Sequence, residues 1–173
     1  FKPKMNLDIT ERVSNEGNLY KAIKNEEFLL LFQPQMNLKT NNLIGFEALI
    51  RWDSPEKGVL APYKFIPIAE ETNLIIPLGQ WIIEETCKQN KKWHDMGHKL
   101  TCAVNISAKQ FIKSNLVSLI KTVLKKTNLK PEYLELELTE TILMENIDKT
   151  VSILDKLKKM GVKISIDDFG TGY

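Results

Sequence analysis

Glu47, Asn105, Glu137 and Asp167 each fall on one face of a short run whose alternate positions are apolar. Ile44, Phe46, Ala48 and Ile50 flank the first, Cys102, Val104 and Ile106 the second, Leu134, Leu136 and Leu138 the third, and Ile164 and Ile166 the fourth. Strands between helices are normally buried on both faces and read as near-continuous aliphatic runs, so a polar residue recurring with one parity calls for a shared site. Three carboxylates and one carboxamide, with no His or Cys among them, form a hard-oxygen set that suits Mg²⁺ or Mn²⁺, or Ca²⁺, over zinc or copper. Asp168 beside Asp167 could bridge a second cation, and paired cations activate water and stabilise the leaving oxygen in phosphodiester hydrolysis. Arg51 lies two residues beyond Glu47 and shares its face, where a guanidinium fork fits a phosphate. Taken singly, each acid reads as a solvated strand end, Asn105 as a turn or cap residue and Arg51 as a surface ion-pair partner. Their joint placement favours a metal site for a phosphate ester.

The elements that must hold these residues follow from periodicity. Residues 1–16 are polar and irregular and read as a linker or upstream segment, with the domain running over 17–173. A short helix is expected over 18–26, a strand over 28–36, and, after the turn cluster NLKTNN, the Glu47 strand, so that the first two strands pair as an antiparallel hairpin. SPEKGVLAP reads as a loop, KFIPIAEET as a short helix, and a longer helix spans about 78–95 with Gly97 as its stop. A strand over 101–106 leads to a helix over 115–126 capped by Ser114. The Glu137 strand follows, then a helix over 146–160 with Ile147, Val151, Leu154 and Leu157 inside and Gly161 at its end, and a strand over 162–167. A hairpin and three helix-then-strand units place five strands in the order that builds a parallel (β/α) barrel, which takes about eight strands and about 250 residues to close. The fold expected is an α/β, modified TIM-type barrel with one antiparallel strand, incomplete within this stretch. Its open edge predicts a dimer or an aggregating chain.

With 173 residues and 43% apolar content, the chain has the length of one domain and enough material for a core. Lys and Arg number 24 against 22 acids, too even a balance to indicate duplex DNA as partner. No stretch approaches a membrane span and FKPKMNLDITER carries no signal core, which reads as a cytoplasmic domain. Cys87 and Cys102 lack metal-type spacing and read as buried free thiols. His94 and His98 flank Gly97 and read as an exposed helix end more than a metal pair. Gly170-Thr171-Gly172 could cradle a phosphate, although no helix follows it.

Taken together, LFQPQ at 31–35, GFEALIRW at 45–52, FIPIAEET at 65–72, AVNISAKQF at 103–111, LELELTET at 134–141 and GVKISIDDFGTGY at 161–173 resemble the EAL domain family of cyclic di-GMP phosphodiesterases, in the family's order. The resemblance implies Glu47, Asn105, Glu137 and Asp167 as ligands of a first divalent metal and Asp168 as a holder of a second. It implies Arg51 on a substrate phosphate, Gln33 and Leu49 lining the nucleotide pocket, and Glu140 bracing the loop that carries Asp167 and Asp168. The reaction implied is metal-assisted attack of water on cyclic di-GMP, giving linear pGpG. An upstream sensor or diguanylate cyclase domain is implied as well. In the family a lysine, a further acid and the rest of the barrel follow DDFGTGY. The sequence in hand stops before them, so it reads as the N-terminal two-thirds of such a domain, either a slow enzyme as it stands or a module that binds the dinucleotide or a protein without cleaving.

Overall fold

The computed structural model describes residues 17–140, 142 and 147–167. A helix over 17–24 (α1) opens the fold, followed by β1 (Phe28–Met36) and β2 (Leu43–Ser54). Then come β3 (Gly58–Leu60), a 3₁₀ turn (Pro62–Lys64), α2 (Ile66–Glu71), α3 (Ile75–Asp95) and β4 (Thr101–Ile106). The described chain continues with α4 (Ala108–Lys113), α5 (Leu116–Thr127), a second 3₁₀ turn (Pro131–Tyr133), β5 (Leu134–Thr139), α6 (Ile147–Lys159) and β6 (Lys163–Asp167). The sheet order is β1-β2-β4-β5-β6, with β3 beside β2. β1 and β2 pair antiparallel, and β2, β4, β5 and β6 run parallel, as the periodicity predicts for an open barrel wall.

Alternation along each strand divides the sheet into two faces. Ala48, Ile50, Val104, Ile106, Leu134, Leu136 and Leu138 turn outward under the helices and are buried. Their partners in the core are Leu78, Ile82, Ile83 and Cys87 of α3, Ile120, Val123 and Leu124 of α5 and Leu157 of α6. Trp93 holds the lower part of the hairpin, its ring 4.9 Å from Phe32 and 4.8 Å from Phe46. Phe28, Trp52, Phe65 and Trp81 make a second aromatic cluster at the other end of the same strands. Both thiols are fully buried, and burial pushes each up to about 12, so they are inert packing groups.

Five details differ from the sequence expectation. Gly58–Leu60 pairs with Trp52–Ser54 as a short strand instead of a loop, because Gly58 takes φ 68° and turns the chain straight back on β2. The long helix starts at Ile75, one turn early, since Pro77 sits in its first turn where a missing N–H costs nothing. Ser107 caps α4, a helix of six residues too short to show a period, and Asn115, not Ser114, caps α5 by accepting from the Ser118 N–H. Ser114 instead donates to the Gln110 carbonyl and closes α4. Along α6, Thr150 and Leu157 are buried and Ile153 and Leu154 pack on the core, whereas Ile147 is 64% and Val151 50% exposed, because they flank the face that the helix turns inward.

The pairing of β2 with β4 includes one close approach. A Cβ on Gly45 would stand 2.6 Å from the Thr101 carbonyl oxygen of β4, a backbone atom that cannot swing aside. Gly45→Ala is expected to cost about 1–3 kcal/mol by overpacking, read as a lower urea midpoint at unchanged slope. An unchanged midpoint would show that β2 and β4 can separate freely at this pair.

Candidate functional site

The inner face of the sheet gathers the polar residues. Gln33 pairs with Glu47, Ala103 lies opposite Glu47, Asn105 opposite Glu137, and Thr139 opposite Asp167. Glu47, Asn105, Glu137 and Asp167 therefore share one face, staggered by two residues from β2 to β4, by none from β4 to β5, and by two from β5 to β6. Strands of a parallel barrel tilt by about 36°, with a stagger of about one residue per strand, so this offset keeps the four side chains near one height along the barrel axis. Asn105, Glu137 and Asp167 sit at or near the C-terminal ends of their strands, the end where such sheets carry their sites, whereas Glu47 lies in the first half of the longer β2, within the stretch that pairs with β4.

Two contacts show how they meet. The Asn105 Nδ2 donates to Glu47 Oε1 at 2.8 Å, linking β2 to β4 across the inner face. Glu137 is pushed up to about 7, first by burial and then by the charges of Glu47, Asp167 and Glu135, against a hydrogen bond from Gln35 that favours its ionised form. Carboxylates crowded on a half-buried face repel one another, and a cation among them removes that repulsion. The donor set fits Mg²⁺ or Mn²⁺ on chemistry: hard oxygens only, from the carboxylates of Glu47, Glu137 and Asp167 and the Asn105 Oδ1. Among the described residues no group of three or more His, Cys, Asp or Glu side chains is close enough to hold an ion by itself.

The remaining candidates divide. Leu49 and Arg51 follow Glu47 on its face, both half-buried, and the Arg51 Nη1 donates to the Ile50 carbonyl at 2.8 Å. Gln33 is exposed beside Glu47. Glu140 is half-buried directly after β5. Asp168, the loop that Glu140 would brace and the Gly170-Thr171-Gly172 run lie outside the described residues. His94 is drawn away from any site: its Nε2 lies 3.0 Å from the Leu100 carbonyl and its ring stands edge-on to Tyr133, so it is half-buried where an exposed turn is expected. Gln35 was not legible as a site residue, although its parity with Gln33 in LFQPQ could have marked it. A cavity of about 460 Å³ adjoins the row, reaching it at Leu49, Asn105 and Thr139 and walled by Tyr63, Ile66 and Pro67.

The chain as a whole is similar to known proteins. The EAL domain family model matches residues 16–173. The chain is 46% identical to the signaling protein YkoW of Bacillus subtilis over 95% of its own length and 20% of that protein's. It is 39% identical to the cyclic di-GMP phosphodiesterase PdeR of Escherichia coli, over 100% of this chain and 26% of the relative. A solved complex of the PaMucR phosphodiesterase with c-di-GMP superposes with a TM-score of 0.89 at 41% identity, over 92% of this chain and 65% of that one. The chain thus spans about a quarter or less of the length of these two curated relatives.

Proposed function

The chain belongs to the EAL domain family, and we propose on that premise that it binds cyclic di-GMP and, with Mg²⁺ or Mn²⁺, opens one phosphodiester to give linear pGpG. The observation that carries this reading is the inner-face row itself: Asn105 bonded to Glu47 at 2.8 Å, with Glu137 crowded by Glu47 and Asp167. Glu47, Asn105, Glu137 and Asp167 would hold the ion, and Asp168 would help hold a second. When bound, the cation supplies Lewis-acid polarisation of the phosphoryl group and lowers the pKa of water.

The chain's own residues account for the rest. Arg51 presents its fork on the side of Glu47 where a phosphate oxygen would lie, and a planar guanidinium orients that group better than a lysine would. Leu49 and the apolar wall of the adjoining cavity offer a dry surface for a base, and Gln33, exposed at the rim, offers an amide to its edge. Gln35 holds Glu137 in place from β1. Glu140 would brace the segment carrying Asp167 and Asp168.

Binding without cleavage is a second reading, and one experiment separates the two. The test is incubation of the chain with cyclic di-GMP and Mn²⁺, followed by chromatography and, in parallel, calorimetric titration with the dinucleotide. Release of pGpG supports the first reading. Saturable binding with no product supports the second, and neither binding nor product overturns both. The curated relatives extend well beyond the matched stretch, which fits a signalling protein in which a sensor or cyclase domain precedes this one.

A further inference from the structure

We propose that Lys109 is a positioning residue that sets the wall of the cavity beside the inner-face row, and through it the affinity for the dinucleotide. This inference rests on the function proposed above and deepens it. The cavity's outer wall is α2, whose Ile66, Pro67 and Glu70 line it. That helix is short and its C-terminal end has no apolar anchor: it has six residues and no side-chain cap at its N-terminus, and it packs through Phe65, Ile66, Ile68 and Ala69, all before Glu70. Six residues cannot hold a helix by backbone bonds alone, so its place must be fixed by what it touches.

The fixing group comes from the helix that follows the strand carrying Asn105. Two residues after Asn105, Ser107 caps α4, accepting from the Gln110 N–H at 3.2 Å. α4 is in turn seated on α3 at Gly79, where any Cβ would meet the fully covered Gln110 amide at 2.3–2.5 Å. From this fixed platform the Lys109 ammonium donates to the Glu70 carbonyl and, at 3.4 Å, to the Glu71 carbonyl, the last carbonyls of α2. Lys113 of the same helix reaches Asn73 Oδ1 at 3.3 Å. A cation on the free carbonyls of a helix C-terminus satisfies acceptors that the helix leaves open and complements its dipole. The chain of contacts runs Asn105, Ser107, α4, Lys109, α2, so the cavity wall is indexed to the same strand end that carries a metal-site residue. A ligand spanning the row and the cavity feels that spacing directly.

Lys109→Met keeps most of the stem and removes the ammonium; Lys109→Arg restores a cation with several donors. In Lys109→Met, KM for cyclic di-GMP, or Kd if the chain binds without cleaving, is expected to rise about tenfold, the scale of a charge-assisted hydrogen bond. The kcat and the calorimetric Mn²⁺ affinity should stay within about twofold, and Lys109→Arg should recover most of the loss. Hydrogen exchange gives a readout that needs no ligand: the Ala69 and Thr72 amides, which donate to Phe65 and Ile68 carbonyls, should exchange faster in Lys109→Met while those of α3 do not. Unchanged KM, a parallel fall in Mn²⁺ affinity, or unchanged exchange in α2 would each overturn the proposal. Should the unmodified chain bind no dinucleotide, the functional reading fails, and the exchange measurement still decides whether Lys109 holds α2.

Discussion

Glu47→Gln is expected to lower cyclic di-GMP turnover by at least about 100-fold, the scale for losing one electrostatic stabiliser of a transition state. The substitution is chosen because it separates charge from structure. A glutamine at this position still offers an oxygen to the Asn105 Nδ2, which donates to Glu47 at 2.8 Å in the native chain, so the link between β2 and β4 survives. What disappears is one negative charge from the row that also contains Glu137 and Asp167. Mn²⁺ affinity should fall by at least about tenfold, since even groups that only support a ligand cost that much. The urea midpoint should not fall, because a charge removed from a crowded anionic face relieves repulsion. Turnover within tenfold of the native chain, with stability intact, would remove Glu47 from the proposed machinery. A large loss of stability would mean that its role is to hold β2 against β4.

The parity of Glu47, Asn105, Glu137 and Asp167 was legible because a strand has a period of two, and a buried sheet leaves few reasons for an acid to recur on one face. The hairpin and the three parallel crossovers were legible for a related reason: apolar runs alternate with helical stripes, and NLKTNN marks a reversal. What failed was structure shorter than its own period. α4 spans six residues and β3 three, so neither shows a periodicity: α4 is set by a contact distant in sequence, Gln110 packed on Gly79, and β3 by a local reversal that pairs Val59 with Asp53. The same limit hid Gln35, whose meaning appears only when β1 lies beside β2 and its amide reaches Glu137 across two strands. Ile147 and Val151 teach the converse lesson. Their spacing marks an apolar stripe, but the helix turns inward the neighbouring face of Thr150, Ile153, Leu154 and Leu157, and a polar threonine at its centre hides that face from an apolar count.

Glu137→Gln is expected to move two properties in opposite directions. A folded-state value of about 7 lies above the ordinary glutamate value of about 4.3 that the unfolded chain shows. Between these limits the folded chain keeps a proton that the unfolded chain has lost, so the metal-free protein loses stability as pH rises from about 4.5 through about 7. Glutamine carries no such proton. In EDTA the variant should lose this part of the pH slope and have the higher urea midpoint at pH 8, with the two proteins converging near pH 5; solvent screening on a half-exposed face keeps the difference modest. Metal binding goes the other way. A cation must displace the Glu137 proton, so native affinity should fall by up to about tenfold per pH unit below 7, whereas the variant should bind at least about 100-fold more weakly at pH 8 and vary less with pH. Urea titrations in EDTA at three pH values and Mn²⁺ calorimetry at two would measure both. A variant less stable than the native chain at pH 8 without metal would show that the site already welcomes the ionised carboxylate, and the crowding of Glu47, Asp167 and Glu135 around it would no longer argue for a cation.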